Sequence, residues 1–267
     1  MGHVPPAKTL LDIVDMQNDF VLPDGACTHP AGKGMPLVRP FNEFLRQVSH
    51  AHADAVLIKY DAHFAGEYPL SPESALFPAA HCLWNTKGQE LVIELGTLAE
   101  RLPVFHMNKN EFSMWGTNPT AFGRVRFSSR EEERAYHNLF HVTSRFNDLA
   151  PGMPRDVWLR RQDFTDVAVA GIYADYCTAD AIEGYLARGY GVTALKDLTT
   201  GIGGNPQHSG ADLSGDLDKV CQQRFSSALK SGQLVLMESA EWLERQVSAR
   251  HWVSGPGAGR SAHLRPG

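Results

Sequence analysis

The sequence predicts an α/β fold of three layers, in which a mostly parallel, six-stranded sheet lies between two layers of helices. Three observations support it: apolar runs rich in β-branched residues recur along the chain, helical patterns separate them, and no internal repeat is apparent. Continuous apolar runs are typical of parallel strands buried on both faces. With 267 residues and 43% hydrophobic side chains, the chain can bury a substantial core.

The predicted strands are short apolar runs, and they comprise residues 10–14, 55–60, 104–107, 167–172, 191–195 and 234–237. Apolar residues at helical spacing predict helices at residues 40–51, 89–101, 178–188, 216–231 and 239–248. In such a sheet, ligands bind at the carboxyl ends of the strands, near a switch in strand order. Functional residues are therefore expected just after each strand.

Residues 117–165 fit this plan poorly, because about 50 residues exceed an ordinary connection. They carry the charged run Arg130-Glu131-Glu132-Glu133-Arg134. We expect residues 1–250 to form one domain in which this insertion builds a lid or an oligomer arm with its own short helices. A solvated excursion is the alternative. Residues 251–267 are rich in Gly, Pro, Arg and Ser and are predicted to be disordered.

Charge and composition narrow the function classes. The net charge of −5 leaves no basic stripe for phosphates, so a nucleic-acid partner is not expected. No stretch is long enough for a membrane span, and the amino terminus lacks a secretory pattern, which indicates the cytoplasm. The four cysteines show no CxxC spacing, so neither a disulfide framework nor a thiolate zinc site is indicated.

Cys177 is the most informative position in the chain. The apolar run 167–172 ends just before it, and Ala179, Ile182 and Tyr185 follow at helical spacing. Free backbone N–H groups and the helix dipole at such a helix start favour thiolate over thiol, and they could hold an oxyanion. The alternative is an inert structural cysteine, since free cysteines are among the most buried residues.

Chemically active side chains follow the predicted strands. Asp15 follows the first strand, Asp61 and His63 the second, Lys109 the third and Cys177 the fourth. Each has an ordinary explanation as a turn, cap or solvated residue. Together they predict a nucleophile, a base and a cation at one edge of the sheet, where an ammonium lowers the pKa of a thiol and a carboxylate moves its proton.

A metal site is predicted from a second group of residues, namely Asp61, His63, Glu73 and His81. Asp61 and His63 point to the same side of an extended segment because they are two residues apart. The loop that follows could bring Glu73 and His81 to the same point. Two imidazoles with two carboxylates suit zinc, iron or manganese, although loop histidines are common without a metal.

These motifs resemble those of the isochorismatase-like cysteine hydrolases, and within them most closely those of the nicotinamidases. The resemblance covers most of residues 8–245 and implies a Rossmann-like topology. The motifs that carry it are short and specific in combination: Asp15-Met16-Gln17-Asn18-Asp19-Phe20, Asp61-Ala62-His63, Pro72-Glu73-Ser74-x-Leu76-Phe77-Pro78-x-x-His81, Asn108-Lys109 and Gly171-x-x-x-Asp175-x-Cys177.

The resemblance implies that Cys177 is the nucleophile, Asp15 the proton shuttle and Lys109 the cation that holds the thiolate. It implies a divalent metal, usually zinc or iron, on Asp61, His63, Glu73 and His81. In such enzymes, which serve NAD salvage, the metal holds the pyridine nitrogen of nicotinamide and retains bound water.

The resemblance also implies a non-proline cis peptide at Ile172-Tyr173, with the backbone N–H groups of Tyr173 and Cys177 as oxyanion donors. The aromatic residues Phe20, Phe77 and Trp115 match or lie near positions that sandwich the substrate ring. Ordinary core packing is the alternative for these three side chains.

Two departures from the family leave the substrate open. Residues 21–36 are longer than the usual Gly-rich turn and include Cys27 and His29, and compact nicotinamidases lack the insertion 117–165. Another small amide, a lactam or a ureide is therefore the alternative substrate. A protein that binds a metal or ligand without catalysis is a third interpretation, disfavoured by the intact set of Asp15, Lys109 and Cys177.

Overall fold

The computed structural model describes residues 7–27, 34–116, 123–203 and 216–254. For residues 251–254 only the backbone is described. The first part of the predicted insertion, residues 117–122, lies outside these ranges. His29 lies outside them as well. Of the predicted tail, residues 251–254 continue the last helix, and the remainder lies outside the described residues.

Within the described residues, one sheet of eight strands forms the centre of the molecule, in the order β5-β4-β3-β2-β1-β6-β7-β8. The strands are β1 Thr9–Val14, β2 Ala55–Asp61, β3 Val104–Lys109, β4 His141–Thr143, β5 Met153–Pro154, β6 Asp166–Ile172, β7 Gly191–Thr200 and β8 Leu234–Met237. The predicted parallel strands are confirmed. The predicted number of strands was too low, because the insertion adds β4 and β5 as an antiparallel edge.

The strand order reverses between β1 and β6, since the chain runs outward through β2 and β3 before returning to β6 on the other side of β1. Both central strands are apolar and buried along almost their whole length, as expected for parallel strands covered on both faces. The carboxyl ends of β1 and β6 therefore meet at the switch point, where sheets of this kind bind ligands.

Helices cover both faces of the sheet. They are α1 Asn18–Val21, α2 Met35–Gln47, α3 Leu98–Arg101, α4 Arg130–His137, α5 Arg155–Gln162, α6 Cys177–Ala187, α7 Leu217–Arg224, α8 Ser226–Ser231 and α9 Ser239–Ser254. On one face α2 packs against α9, where the rings of Phe44 and Trp242 are 5.8 Å apart. On the other face Trp158 of α5 packs against Phe105 of β3. No helix in the described ranges is both long and apolar enough to cross a membrane.

The helix predicted at residues 89–101 was wrong, since only Leu98–Arg101 is α-helical there. Residues 90–92 instead pair with the segment after β1: Asn18 N–H donates to Glu90 O, and Val92 N–H donates to Met16 O. These tertiary hydrogen bonds outweigh a local helical preference. The predicted helix 216–231 is interrupted at Phe225, and the predicted helix 40–51 begins earlier, at Met35, and ends at Gln47.

The described part of the insertion packs beside the sheet. Its helix α4 contributes Ala135 and Tyr136 to a small hydrophobic cluster that also includes Ala62 and Phe64 from the segment after β2. We call this the insertion cluster. The insertion therefore covers the chain that follows Asp61, while its role as a lid or an oligomer arm stays a prediction.

Candidate active site

The residues predicted from the strand ends meet at one point. Asp61 is the last residue of β2, Lys109 is the last residue of β3, and Cys177 is the first residue of α6. Asp15 follows β1 directly, and all four side chains are buried. Because β1, β2, β3 and β6 are parallel neighbours, their carboxyl ends place these side chains at the same edge of the sheet.

Lys109 is the centre of this group. Its Nζ lies 2.8 Å from Asp15 Oδ2, 3.4 Å from Asp61 Oδ1 and 3.5 Å from Cys177 Sγ. A single ammonium thus contacts the predicted nucleophile, the predicted base and a predicted metal ligand. This arrangement can stabilise negative charge on the thiol sulfur while holding the carboxylate close to it.

The backbone is adapted to this close approach at the switch point. Asp15 has a φ of 50°, in the left-handed region that aspartate tolerates better than most residues. Gly171 has a φ of 128°, and a Cβ there would collide with the carbonyl oxygen of Val14. Glycine at this position therefore lets β6 lie directly against the end of β1.

Cys177 begins α6, so the N–H groups of its first turn have no acceptor within the helix. The peptide bond between Ile172 and Tyr173 is cis, as the resemblance implied. Asp175 accepts hydrogen bonds from the N–H groups of Ile202, at 3.0 Å, and Gly203, at 2.8 Å. These bonds tie the turn before Cys177 to the chain after β7. An oxyanion role for Tyr173 and Cys177 stays a prediction.

The expectation that the thiol of Cys177 has a lowered pKa was wrong. Burial raises the pKa of this thiol well above its usual value; Lys109 opposes the rise, but Asp15 and Asp61 add to it. Burial also raises the pKa of Asp15, against the effect of Lys109. Burial lowers the pKa of Lys109, but Asp15 and Asp61 outweigh it and raise this pKa well above its usual value. The thiol is thus protonated at rest and needs a base.

The predicted metal ligands form a second, adjoining group. One ligand atom from each of Asp61, His63, Glu73 and His81 can be chosen so that all lie within 4.8 Å of one another. His63 Nε2 is 3.1 Å from Asp61 Oδ2, and His81 Nε2 is 3.3 Å from the same oxygen. All four side chains are buried. Together they could hold a divalent metal ion.

Two features of this group fit a cation. Within the described part of the chain, Asp61 Oδ2, His63 Nε2, Glu73 Oε2 and His81 Nε2 are buried and make no hydrogen bond of acceptable geometry. Burial lowers the pKa values of both histidines, but Asp61 and the other neighbouring groups raise them well above normal. The carboxylates therefore attract positive charge, which a divalent ion would supply in place of the protons.

The histidine orientations suit metal binding as well. The second nitrogen of His81, Nδ1, lies 3.0 Å from the carbonyl oxygen of Ala79, which can only accept a hydrogen bond. In the neutral ring, which a bound metal requires, Nδ1 would therefore carry the proton and the lone pair of Nε2 would face the group of ligands. The hydroxyl of Tyr68 lies 3.2 Å from His81 Nδ1 and donates a hydrogen bond to Phe77 O.

Gln17 holds the backbone of Asp61 from both sides. Its Oε1 accepts from Asp61 N–H at 2.8 Å, and its Nε2 donates to Asp61 O at 2.8 Å and to Gln89 O at 2.9 Å. The amide of Gln89 in turn contacts Asn147, which belongs to the insertion. Sequence reasoning missed these supporting amides, although Gln17 lies within a motif that it singled out.

A small cavity opens beside Cys177, and Asp15 and Glu73 also line it. Phe20 and Phe77 line its wall, and their contact with a substrate ring stays a prediction. The other lining residues, of which sequence reasoning missed several, are Cys27, Phe112, Ile172, Tyr173 and Tyr176. Phe112 and Tyr176 stand close in sequence to Lys109 and Cys177, which was the signal available for them.

Trp115 does not line this cavity. Its indole Nε1 donates to Asp180 O on α6 at 2.9 Å, and the guanidinium of Arg188 lies 3.7 Å from its ring. A Cβ on Gly184 would collide with the indole, so the ring packs directly on the backbone of α6. Trp115 therefore fixes α6 against the segment after β3, and the prediction that it contacts a substrate ring is not supported.

Sequence comparison finds nicotinamidases among known proteins, while no family model matches the chain. The chain is 24% identical over 225 residues to the nicotinamidase of Saccharomyces cerevisiae, covering 75% of this chain and 91% of that protein. It is 26% identical over 220 residues to the nicotinamidase of Escherichia coli, covering 77% of this chain and 88% of that protein.

Solved structures share the fold. The pyrazinamidase of Pyrococcus horikoshii in complex with zinc matches with a TM-score of 0.53 and 22% identity, over 86% of this chain and 99% of that one. An isochorismatase-like hydrolase from Alkaliphilus metalliredigens matches with a TM-score of 0.58 and 15% identity, over 90% and 99% of the two chains. The expected three-layer architecture is confirmed.

Proposed function

We propose that this chain, which has the isochorismatase-like fold and is similar to nicotinamidases, converts nicotinamide into nicotinate and ammonia. The chain is an amide-cleaving hydrolase. One observation carries the proposal: Lys109 Nζ contacts Cys177 Sγ, Asp15 and Asp61, and Cys177 and Asp15 line one cavity.

The first half of the reaction forms a thioester. Asp15 takes the proton of the Cys177 thiol, which burial keeps protonated at rest because it raises the thiol pKa. The sulfur attacks the carboxamide carbon, while Lys109 stabilises the developing thiolate and backbone N–H groups of Tyr173 and Cys177 hold the oxyanion. Asp15 then gives its proton to the departing nitrogen, the carbon–nitrogen bond breaks and ammonia leaves.

The second half regenerates the thiol. Asp15 takes a proton from a water molecule, the hydroxide attacks the thioester carbon, and the carbon–sulfur bond breaks. The carboxylic acid is released, and the proton held by Asp15 returns to the sulfur. Lys109 keeps Asp15 within reach in both halves through their 2.8 Å contact. The buried position of all three side chains limits competing reactions with bulk water.

Asp61, His63, Glu73 and His81 would hold the divalent ion, for which zinc suits the donor set, with iron and manganese as alternatives. When bound, this ion would supply a Lewis acid that anchors the ring nitrogen of the substrate. Phe20 and Phe77 line the cavity and would contact the flat faces of the ring.

Another small amide is the second candidate substrate. Cys27, from the segment that departs from the family pattern, and Phe112 both line the cavity beside Cys177. Side chains at these positions change the cavity wall without changing the reacting groups. The same Cys177, Asp15 and Lys109 chemistry would then act on a different carboxamide or ureide.

The deciding experiment is ammonia release, measured with nicotinamide, pyrazinamide and a panel of carbamoyl compounds, alongside elemental analysis of the purified chain. We expect the highest kcat/KM for nicotinamide. Elemental analysis should find about one divalent ion per chain, because one group of four ligands holds one ion. A negligible kcat/KM for nicotinamide, with turnover of another compound, would establish the second candidate instead.

Replacement of the nucleophile tests the covalent route. Cys177→Ala is expected to abolish ammonia release, because no sulfur remains to form the thioester, while metal content stays unchanged. Mass spectrometry of the wild-type chain quenched during turnover is expected to show the acyl adduct on Cys177. Retained turnover in Cys177→Ala would contradict the thioester mechanism.

A further inference from the structure

Glu67 is a fully buried carboxylate that the proposed reaction does not use. It lies in the chain after β2, four residues beyond His63. Its Oε2 is 3.5 Å from His63 Nδ1 and accepts a hydrogen bond from Phe64 N–H at 3.2 Å. Its Oε1 accepts from Asn110 Nδ2 at 2.9 Å. A buried carboxylate is costly unless its neighbours use its charge, so this position calls for an explanation.

The two nitrogens of His63 face opposite groups. Nε2 faces the other predicted metal ligands and lies 3.1 Å from Asp61 Oδ2 and 3.6 Å from Glu73 Oε2. Nδ1 lies on the other side of the ring, 3.5 Å from Glu67 Oε2, where it makes no hydrogen bond of acceptable geometry to the described residues and Glu67 is the adjacent carboxylate. A neutral imidazole carries its proton on one nitrogen only, and a carboxylate beside Nδ1 favours the form in which Nδ1 is protonated and Nε2 offers its lone pair.

We propose that Glu67 is the positioning residue of the metal site: it holds His63 in the tautomer and orientation that present Nε2 to a divalent cation. The inference rests on the metal part of the proposed function. Carboxylates in this outer position raise the basicity of a histidine ligand and fix the plane of its ring. Glu67 does so without contacting the cation or the substrate.

Glu67 also joins the metal site to the catalytic lysine. Asn110, which donates to Glu67, follows Lys109 at the end of β3. The carboxylate therefore links the chain after β2, which carries His63, to the strand that carries Lys109. Beside His63, Ala62 and Phe64 are buried in the insertion cluster. The side chain of Glu67 is itself fully buried, and exclusion of water from it strengthens the hydrogen bonds that it accepts.

The test is Zn²⁺ binding to the full chain without substrate, measured by competition with a chromogenic chelator. Glu67→Gln keeps the size of the side chain and a carbonyl acceptor but removes the charge, and we expect about 10-fold weaker binding. Glu67→Ala removes the acceptor, and we expect a loss of up to about 100-fold. The visible spectrum of the Co²⁺-loaded chain should shift in both variants, because the orientation of a ligand changes.

The matched control is Glu132→Gln, which neutralises another buried carboxylate, one that accepts from Ser128 at the start of α4. It should bind Zn²⁺ like the wild type. Wild-type affinity and an unshifted Co²⁺ spectrum in Glu67→Gln would overturn the inference, as would an equal loss in Glu132→Gln. A wild-type chain that binds neither ion would also overturn it. Ammonia release from nicotinamide is read separately, so failure of the proposed substrate leaves the binding result interpretable.

Discussion

At the level of single residues, the proposed reaction requires Asp15 to take the proton of Cys177 before the thiol can react. The thiol pKa is raised by burial and by nearby carboxylates, which outweigh Lys109. The pKa of Asp15 is also raised by burial, so this carboxylate is a stronger base than an exposed one. A helix start and a lysine therefore do not suffice to ionise the cysteine in this environment.

Asp15→Asn is expected to lower kcat/KM for ammonia release by about 10²–10⁴-fold, because an amide cannot accept the thiol proton. Alkylation of Cys177 by iodoacetamide should slow as well, which separates loss of the base from loss of substrate binding. Asp24→Asn, at an exposed position, serves as the control. Wild-type turnover and alkylation in Asp15→Asn would show that another group takes the proton.

At the level of secondary structure, the junction of β1 and β6 depends on one glycine. Gly171 has a φ of 128°, and a side chain there would collide with the backbone of Val14. This contact brings the end of β1, which precedes Asp15, against the end of β6, which leads to Cys177. The distance between Asp15, the proposed base, and Cys177, the proposed nucleophile, thus depends on a glycine that has no reactive side chain.

Gly171→Ala is expected to lower the free energy of unfolding by about 3–5 kcal/mol, from an unfavourable φ together with overpacking against β1. Gly232→Ala is the matched control, since Gly232 has a positive φ of 77° but no neighbour within 4 Å of an added Cβ. Gly232→Ala is expected to lower the free energy of unfolding by about 1 kcal/mol, because only the unfavourable φ contributes. Equal losses in denaturant unfolding would contradict the steric explanation.

The insertion contacts the predicted metal site through amide groups. Asn147 Oδ1 accepts from Asn108 Nδ2 at 2.9 Å, and Asn147 Nδ2 donates to Gln89 Oε1 at 3.0 Å. Gln89 O accepts from Gln17, which holds Asp61. A side chain from the insertion is therefore connected to the backbone of Asp61, a predicted metal ligand, through two intervening amides.

Asn147→Gly is expected to lower the free energy of unfolding by about 1–2 kcal/mol, because two buried or half-buried amides lose a partner. Glycine tolerates the φ of 50° at this position, so the change isolates the side chain. Zn²⁺ binding should weaken in the same variant. Gln47→Ala, at an exposed position on α2, is the control, and equal stability of the two variants would contradict a supporting role.

At the level of the whole molecule, the four buried predicted ligands would couple metal binding to folding. They come from β2 and the loop after it, so they are brought together only in the folded chain. An ion that binds the folded state alone stabilises it in proportion to the logarithm of its concentration over the dissociation constant. Metal removal is therefore expected to lower stability as well as activity.

Chelation should lower the free energy of unfolding by about 2.7 kcal/mol relative to Zn²⁺ at 100 times its dissociation constant. For a chain of this size, that corresponds to a fall in Tm of about 5–10 °C. Calorimetry with and without Zn²⁺ measures it. Cys177→Ala should keep the full shift, and His63→Ala should lose it. An unchanged Tm in the wild type would contradict a metal on these residues.

The sequence by itself determined the parallel strands and the side chains at their ends. Both are local properties: a buried strand needs a mostly apolar run, and the residues at its carboxyl end follow directly in the sequence. Asp15, Asp61, Lys109 and Cys177 could therefore be placed at one edge before any contact was known. Glu73 and His81 followed from the motif, although their convergence depends on the loop between them.

Only the tertiary structure decided which groups surround these residues. Most of the helix predicted at residues 89–101 does not form, because residues 90–92 make hydrogen bonds with the segment after β1. Trp115 packs on α6 instead of lining the cavity. The raised pKa of Cys177, the clamp by Gln17 and the position of Glu67 beside His63 likewise depend on contacts between distant segments. Burial and electrostatics are sums over such neighbours, and a local pattern does not contain them.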